Sequence, residues 1–67
     1  MISIQLNGTE RVIKKGWVLA HLLEELGFAR ARIAVELNEE VVPASRHADI
    51  VLAEGDCIEI VHAIGGG

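Results

Sequence analysis

The sequence contains few residues of the types that build metal centres or covalent cross-links. Cys57 is the only cysteine among the 67 residues, so no internal disulfide can form. One cysteine also cannot supply the ligands of a cysteine-rich zinc site or of an iron–sulfur cluster, which excludes a small ferredoxin. Stability must therefore come from packing, and the composition allows this because 51% of the residues are hydrophobic.

Basic residues and long apolar runs are scarce as well. Six Lys and Arg stand against ten Asp and Glu, which gives a net charge of −4. Binding to phosphates requires clustered Lys and Arg, so this charge argues against nucleic acid and favours docking on a basic protein surface. Residues 1–5 include neither a basic stretch nor a long apolar run, so we expect no signal peptide, no membrane span and a cytoplasmic location.

Residues that could perform catalysis are present but poorly placed. His21, His47 and His62 have neither the i, i+4 spacing of a helical metal pair nor a neighbouring cysteine. The adjacent carboxylates Glu24-Glu25 and Glu39-Glu40 are most simply solvated, since neighbours on a helix diverge. We therefore predict no catalytic residue, no metal site and no cofactor bound by this chain, which would not be an enzyme on its own.

Cys57 and Trp17 are each the only residue of their type, and the role of each is considered separately. Cys57 lies beside Asp56 and follows no helix N-terminus, so we expect a passive thiol rather than a nucleophile. Trp17 directly precedes the predicted helix, and it either caps the edge of the core or forms an exposed contact patch. The sequence leaves both alternatives for Trp17 open.

The first part of the chain predicts a β-hairpin. Ile2, Ile4 and Leu6 alternate with polar residues, which is the pattern of a half-buried strand. Asn7-Gly8 is a strong tight-turn dipeptide, and a second β-prone run covers residues 10–14. A hairpin of two antiparallel strands is therefore expected before Lys15-Gly16.

A single main helix is predicted next. Four leucines recur at i, i+3, i+4 and i+7 and form one apolar stripe: Leu19, Leu22, Leu23 and Leu26. Gly27 follows where a left-handed C-terminal cap is expected. Val18 is a poor N-cap residue, so the pattern fixes the start of the helix only to within about two residues.

The second half of the chain predicts three further strands. Ile33, Val35 and Leu37 alternate with other residues, and the short run Val41-Val42 ends at Pro43. Residues 38–40 and 54–56 are predicted turns, and the last strand covers residues 58–61. Residues 44–50 are short, polar and ambiguous, and they are compatible with one helical turn.

These elements predict a two-layer α+β domain of the ubiquitin-like β-grasp type, with a mixed sheet of four to five strands. One helix can cover only one face of such a sheet. The first and last strands are the most evenly apolar, so we place them at the centre of the sheet. We expect the domain to cover residues 1–64, with the two chain ends near each other.

Residues 65–67 are three consecutive glycines, and we expect them to form a flexible tail that leaves from the middle of the sheet. A segment without Cβ atoms can enter a channel too narrow for other residues. Gly65 and Gly66 would then provide reach, and the α-carboxylate of Gly67 would be the reactive group. This glycine tail therefore predicts chemistry in the active site of another protein.

Val61 is predicted to point away from the core, because Ile58 and Ile60 on the same strand point inward. An exposed apolar residue just before the tail would suit a docking surface. We therefore predict that Val61 and Ile64 contact a partner; the alternative is that a side chain of a neighbouring strand covers Val61.

The ordered pattern resembles the ThiS family of sulfur carriers, which is related to the small subunit of molybdopterin synthase and to ubiquitin. The matching segments run in order over essentially the whole chain: Leu22-Leu23 in the helix after Gly16, residues 37–43, residues 52–56 leading to residues 58–60, and the terminal glycines. Cys57 and Trp17 depart from the family, which more often has polar residues there, and these departures concern surface contacts.

The resemblance implies a role for Gly67 and a set of partners. An E1-like adenylating enzyme of the ThiF type would use ATP to join AMP to the Gly67 carboxylate. Sulfur from a persulfide donor would replace the AMP, and a thiazole synthase of the ThiG type would use the resulting thiocarboxylate for thiamine biosynthesis.

Three alternatives remain at this point. The chain could carry sulfur for another pathway, as molybdopterin-type carriers and carriers for cysteine or tRNA thiolation do. It could be a ubiquitin-like modifier that joins Gly67 to lysines, or a β-grasp interaction domain whose tail has no function. The segment at residues 38–43 and the chain length favour the thiazole pathway.

Overall fold

One mixed sheet with five strands organises the molecule. The computed structural model describes residues 1–29 and 32–62. In chain order the elements are β1 (Ile2–Leu6), β2 (Thr9–Ile13), α1 (Leu19–Glu25), β3 (Ile33–Leu37), β4 (Glu40–Val42), a 3₁₀ helix (Ala44–Asp49) and β5 (Cys57–His62). The prediction of a mixed sheet with one main helix is confirmed.

The strand order is β2-β1-β5-β3-β4, so β5 lies at the centre with β1 beside it. β1 and β5 are parallel, with Gln5 opposite Cys57 and Leu6 opposite Ile58. The other neighbouring pairs are antiparallel. The predicted position of the first and last strands is therefore correct.

The pairing of β1 with β5 does not bring the start of β1 near the end of β5, contrary to the sequence-based prediction for the two chain ends. β1 and β5 run in the same direction, so the start of β1 and the end of β5 lie at opposite ends of the sheet. At the start of β1, the Ser3 carbonyl accepts a hydrogen bond from Gly55, in the turn that precedes β5. Adjacent strands bring chain ends together only when the strands are antiparallel.

Two short turns determine the register of the two hairpins. Asn7 and Gly8 have φ angles of 49° and 83°, and Asn38 and Glu39 have 51° and 70°. Positive φ at both central residues is the type I′ geometry, which matches the twist of the flanking strands. β2 therefore begins at Thr9 and β4 at Glu40, each one residue earlier than the sequence pattern predicted.

The helix is capped by backbone groups rather than by side chains. Val18 makes no side-chain cap, and the Leu19 N–H donates instead to the Ile50 carbonyl at 2.8 Å. At the other end Gly27 has a φ of 83°, and the N–H groups of Gly27 and Phe28 donate back into the last helical turn. The left-handed cap predicted at Gly27 is thus present, and the two hydrogen bonds make it a Schellman ending.

The core lies between α1 and one face of the sheet. Its members are all apolar: Ile4, Ile13, Leu19, Leu22, Leu23, Val35, Val42, Leu52, Ile58 and Ile60. Burial of each such side chain contributes about 1.5–3 kcal/mol before the entropy of ordering is subtracted. The opposite face of the sheet has no such cover in the described part of the chain, and it is called the outer face below.

Candidate functional site at the end of the last strand

The end of β5 leads into the glycine tail, so its surroundings define the candidate site. Side chains alternate along this strand: Ile58 and Ile60 are 1% and 7% exposed, whereas Val61 is 59% exposed. Val61 therefore lies on the outer face, as its position in the alternation predicted. Ile64 and the glycine tail (Gly65, Gly66 and Gly67) lie outside the described residues.

Val61 is part of an apolar patch on the outer face. Val61 lies directly opposite Ala34 on β3, and Val41 on the edge strand β4 is 73% exposed. Val41 lies opposite Glu36, the residue two positions after Ala34 on the same face. Ala34 is adjacent to Val61 and diagonal to Val41, and these three residues form the apolar patch near the end of β5.

Two carboxylates adjoin the apolar patch. Glu36 on β3 lies directly opposite Glu59 on β5, and both side chains are exposed on the outer face. Like charges that face each other across two strands destabilise the pair. The patch and these two carboxylates together form a surface that suits an apolar partner carrying a basic group.

Asn7 binds β5 close to its end. Its side-chain Oδ1 accepts a hydrogen bond from the Ile60 N–H at 2.7 Å, and its Nδ2 donates to the Ile60 carbonyl at 3.3 Å. The N–H of Asn7 itself donates to the Ile58 carbonyl at 2.9 Å. The turn after β1 is therefore attached to the strand that leads into the tail.

His62, the last described residue of β5, contacts the segment that follows α1. Its ring meets the ring of Phe28 edge to face, with centroids 5.1 Å apart and an angle of 79° between the planes. Phe28 packs in turn against the core. The end of β5 is thus held by Asn7 on one strand edge and by Phe28 on the inner face.

The three histidines lie in separate places with separate partners. His21 approaches Glu25 on the same helix at 3.5 Å, and the Nε2 of His47 is 3.1 Å from the Val42 carbonyl oxygen. In residues 1–29 and 32–62, no three His, Cys, Asp or Glu side chains are grouped as a metal site requires. Among the described residues, the three histidines therefore do not converge on a common site.

Cys57 and Trp17 occupy different environments. Cys57 is exposed at the start of β5, and its nearest hydrogen-bond acceptor is the Gly55 carbonyl, 3.9 Å from Sγ. Trp17 is partly buried against the core, and its ring contacts the His21 ring with centroids 4.4 Å apart and an angle of 51° between the planes. Trp17 thus caps the edge of the core, which is the first of the two alternatives.

A cleft that the sequence analysis did not predict opens beside the edge strand β4. It has a volume of about 340 Å³ and is lined by Leu37, Asn38, Glu40, Val41, Val42, Pro43, Arg46 and Ile50. The Arg46 guanidinium lies 3.6 Å from the Asp49 carboxylate. The cleft is formed by the β3–β4 turn and the 3₁₀ helix, and it does not include the end of β5.

Sequence reasoning missed three parts of the site: the Asn7 side chain, the Phe28–His62 contact and the facing carboxylates of Glu36 and Glu59. Asn7 was interpreted only as a turn residue. The alternation that predicts an outward Val61 also predicts an outward Glu59, so the exposure of this carboxylate could have been predicted from the sequence. Its partner depended on the β3–β5 register, which no local pattern specifies.

Comparison with known proteins identifies the family. The model of the ThiS family matches residues 4–67. This chain belongs to the ThiS family. The match spans the fold described above as well as the terminal glycines, so the family resemblance inferred from the sequence is confirmed.

Individual ThiS relatives agree with this assignment. The sulfur carrier protein ThiS of Bacillus subtilis is 35% identical over 65 residues, which cover 96% of this chain and 98% of the relative. The crystal structure of thiamine biosynthesis protein ThiS from Geobacter metallireducens superposes with a TM-score of 0.85 at 28% identity, covering 98% of this chain and 100% of that one. Both relatives have the length of a ThiS domain alone.

A longer relative matches with higher identity. The thiazole synthase of Magnetococcus marinus is 46% identical over 66 residues, which is 98% of this chain. This chain spans only 20% of the length of that thiazole synthase. A segment similar to this ThiS-family chain therefore exists inside a larger protein of that name.

No helix in the described part of the chain has the length and apolar character needed to cross a membrane.

Proposed function

We propose that this chain is a sulfur carrier for thiamine biosynthesis, with the C-terminal carboxylate of Gly67 as the group that carries sulfur. The observation that supports this most directly is the match of the ThiS family model up to residue 67, which includes the whole glycine tail. Gly65 and Gly66 supply reach into the partner's active site. Catalysis belongs to the partner enzymes, and this chain is their protein substrate.

The chemistry begins with activation of a poor electrophile. An oxygen of the Gly67 carboxylate attacks the α-phosphorus of ATP, pyrophosphate leaves, and an acyl-adenylate forms. An E1-like enzyme of the ThiF type binds the ATP, and this chain itself binds no cofactor. The mixed anhydride now has a good leaving group, so a weak nucleophile can replace AMP.

Sulfur then enters as a persulfide. Its terminal sulfur attacks the acyl carbon, AMP leaves, and an acyl disulfide joins the donor to Gly67. A thiol cleaves the S–S bond, forms a disulfide with the donor sulfur and releases the Gly67 thiocarboxylate. The thiocarboxylate is a nucleophile that remains attached to a folded protein, so the next enzyme can recognise its carrier.

A thiazole synthase of the ThiG type is the proposed acceptor. The 46% identity to a segment of a thiazole synthase supports this partner, because a carrier domain and its acceptor have a high effective concentration when they share one chain. We expect the transfer to take place in the cytoplasm, as the sequence analysis predicts.

Partner docking uses the outer face at the end of β5. Val61 lies in the apolar patch with Ala34 and Val41, and burying it against a partner would exclude water beside the tail. A basic side chain of the partner would offset the repulsion between Glu36 and Glu59. Ile64 also contacts the partner.

Intact-mass spectrometry tests the function. The full chain is incubated with a ThiF-type enzyme, ATP and a persulfide donor, and the expected product is heavier by about 16 Da, the difference between one sulfur and one oxygen atom. Omission of ATP is the control. An unchanged mass in the complete mixture would contradict the carrier function.

The acceptor is tested with the purified thiocarboxylate form. A ThiG-type synthase should consume it and return the mass of the unmodified chain. Formation of covalent conjugates between Gly67 and lysines of many proteins would instead indicate a ubiquitin-like modifier.

A further inference from the structure

Asn7 and Asn38 occupy equivalent positions in two similar turns. Each is the first residue of a two-residue turn, with φ angles of 49° and 51°. Each side-chain amide reaches β5, but at different places along it. Asn38 accepts from the Cys57 N–H at 2.9 Å at the start of the strand, whereas Asn7 binds Ile60 near its end.

The Asn7 side chain continues the β1–β5 ladder past the end of β1. The parallel register ends at Leu6 opposite Ile58, after which the chain turns away. The Asn7 amide then offers one acceptor and one donor to Ile60, at 2.7 Å and 3.3 Å. A side-chain amide has the same two groups as a peptide bond, so it takes the place of the next residue of β1.

β5 is paired along a longer stretch on its β3 edge than on its β1 edge. On the β3 side the register extends to Ile33 opposite His62. On the β1 side, Asn7 provides the last bonds that the structure describes, and they reach only Ile60. The chain from Ile60 onward therefore depends on Asn7 for its attachment to this side of the sheet.

We propose that Asn7 is a positioning residue for the sulfur-transfer reaction. It holds Ile60 and so fixes the direction in which the chain leaves the sheet toward Gly67. This inference rests on the proposed function. The Asn7 amide touches no reacting atom and acts only through β5.

The physical reason is the entropy of positioning. Release of Ile60 from the β1 side widens the range of directions from which the tail approaches the partner. The partner then has to restrict that range when the Gly67 carboxylate reaches the active site. When Asn7 already fixes the direction of the chain, the partner loses less binding free energy to the entropy of ordering the tail.

The test compares Asn7→Gly with Asn38→Gly. Glycine accepts positive φ, so each variant keeps its turn and loses the side-chain amide. With a ThiF-type enzyme, ATP and a persulfide donor, Asn7→Gly should lower kcat/KM for Gly67 conversion about fivefold, the ratio that corresponds to one hydrogen bond of about 1 kcal/mol. Asn38→Gly should keep its kcat/KM within about twofold of wild type, a much smaller change than the fivefold loss expected for Asn7→Gly. Both variants are assayed at the same temperature, below the Tm of each.

Hydrogen exchange gives a readout that does not need the partner. The Ile60 amide should exchange faster in Asn7→Gly but not in Asn38→Gly, and the Cys57 amide should show the reverse. Asn7→Asp keeps the acceptor for the Ile60 N–H and loses the donor to its carbonyl, so its kcat/KM should lie between wild type and Asn7→Gly.

Three results would overturn the proposal. Equal loss of kcat/KM in Asn7→Gly and Asn38→Gly would show that Asn7 contributes stability alone. Unchanged exchange of the Ile60 amide in Asn7→Gly would show that the amide does not hold the strand. If the wild-type chain is not converted to the thiocarboxylate at all, the proposed function is overturned. If the wild type is converted and the two variants have equal kcat/KM, only the positioning role is overturned.

Discussion

Glu36 and Glu59 face each other across β3 and β5, with both side chains on the exposed outer face of the sheet. Sequence selection for stability alone disfavours this arrangement, because the two negative charges repel. An arrangement that costs stability in the isolated domain is understandable where a partner supplies the compensating charge. The pair adjoins the apolar patch through which we propose that the carrier docks.

Replacement of either carboxylate should stabilise the isolated domain. Glu59→Gln and Glu36→Gln should each raise the free energy of unfolding by about 0.2–1 kcal/mol, because either one removes the same repulsion. Urea denaturation at low ionic strength measures the difference, and added salt should reduce it. The double variant should gain little over either single one; strictly additive gains would show that the two carboxylates do not interact.

Val61 and Val12 provide a matched pair for testing the docking face. Their exposed fractions are 59% and 60%, both lie on the outer face, and each follows a glutamate two positions earlier on its strand. Val61→Glu should weaken binding to the adenylating enzyme at least about tenfold, since a charge would enter the apolar contact. Val12→Glu, on the far strand β2, should leave the affinity unchanged.

Titration of each variant against the partner by calorimetry gives the two affinities, and thermal unfolding checks that both remain folded. Equal affinities for Val61→Glu and wild type would place Val61 outside the interface. Equal weakening by both variants would indicate a contact that covers the whole outer face.

The length of the glycine tail should be critical for sulfur transfer but not for folding. Deletion of Gly67, or addition of one residue after it, displaces the carboxylate, so conversion to the thiocarboxylate should be abolished. The Tm should change by less than about 4 °C, which corresponds to under 1 kcal/mol for a domain of this size. A residue added before Met1 is the control and should leave conversion intact. A large loss of Tm on removal of Gly67 would mean that the tail is part of the folded core.

Gly27 should be required for the stability of the helix end. Its φ is 83°, and nothing lies within 4 Å of the position that a Cβ would occupy. Gly27→Ala should therefore cost about 1–2 kcal/mol through backbone strain rather than through a clash. Gly27→Asn should cost less, since Asn adopts this conformation more readily. Urea denaturation ranks the three proteins, and an alanine variant as stable as wild type would contradict the backbone explanation.

Local sequence patterns predicted the elements because each element is specified by neighbours in the chain. The leucine spacing determined which face of α1 is buried, and Gly27 marked its end. Alternation placed Ile58 and Ile60 inside and Val61 outside. These inferences need only the 3.6-residue and two-residue periods and the conformational freedom of glycine.

Contacts between residues far apart in the sequence could not be predicted from local patterns. The apolar pattern places β1 beside β5 but does not specify whether the two strands run in the same direction. The prediction therefore placed the start of β1 near the end of β5, whereas the parallel pairing separates them. The Asn7–Ile60 hydrogen bonds join residues 53 positions apart. The two turn asparagines have similar local sequences and geometry, and only the sheet shows that Asn7 serves the end of β5 and Asn38 its start.

The parallel pairing of β1 and β5 has a practical consequence for experiments on this carrier. Met1 is 81% exposed and precedes β1 at the end of the sheet away from His62. A surface attachment, a fluorophore or a second protein joined before Met1 would therefore leave the molecule on the side opposite to the end of β5. The chain can be held from one end while enzymes work on the other, so sulfur transfer can be followed on single immobilised molecules without blocking the group that reacts.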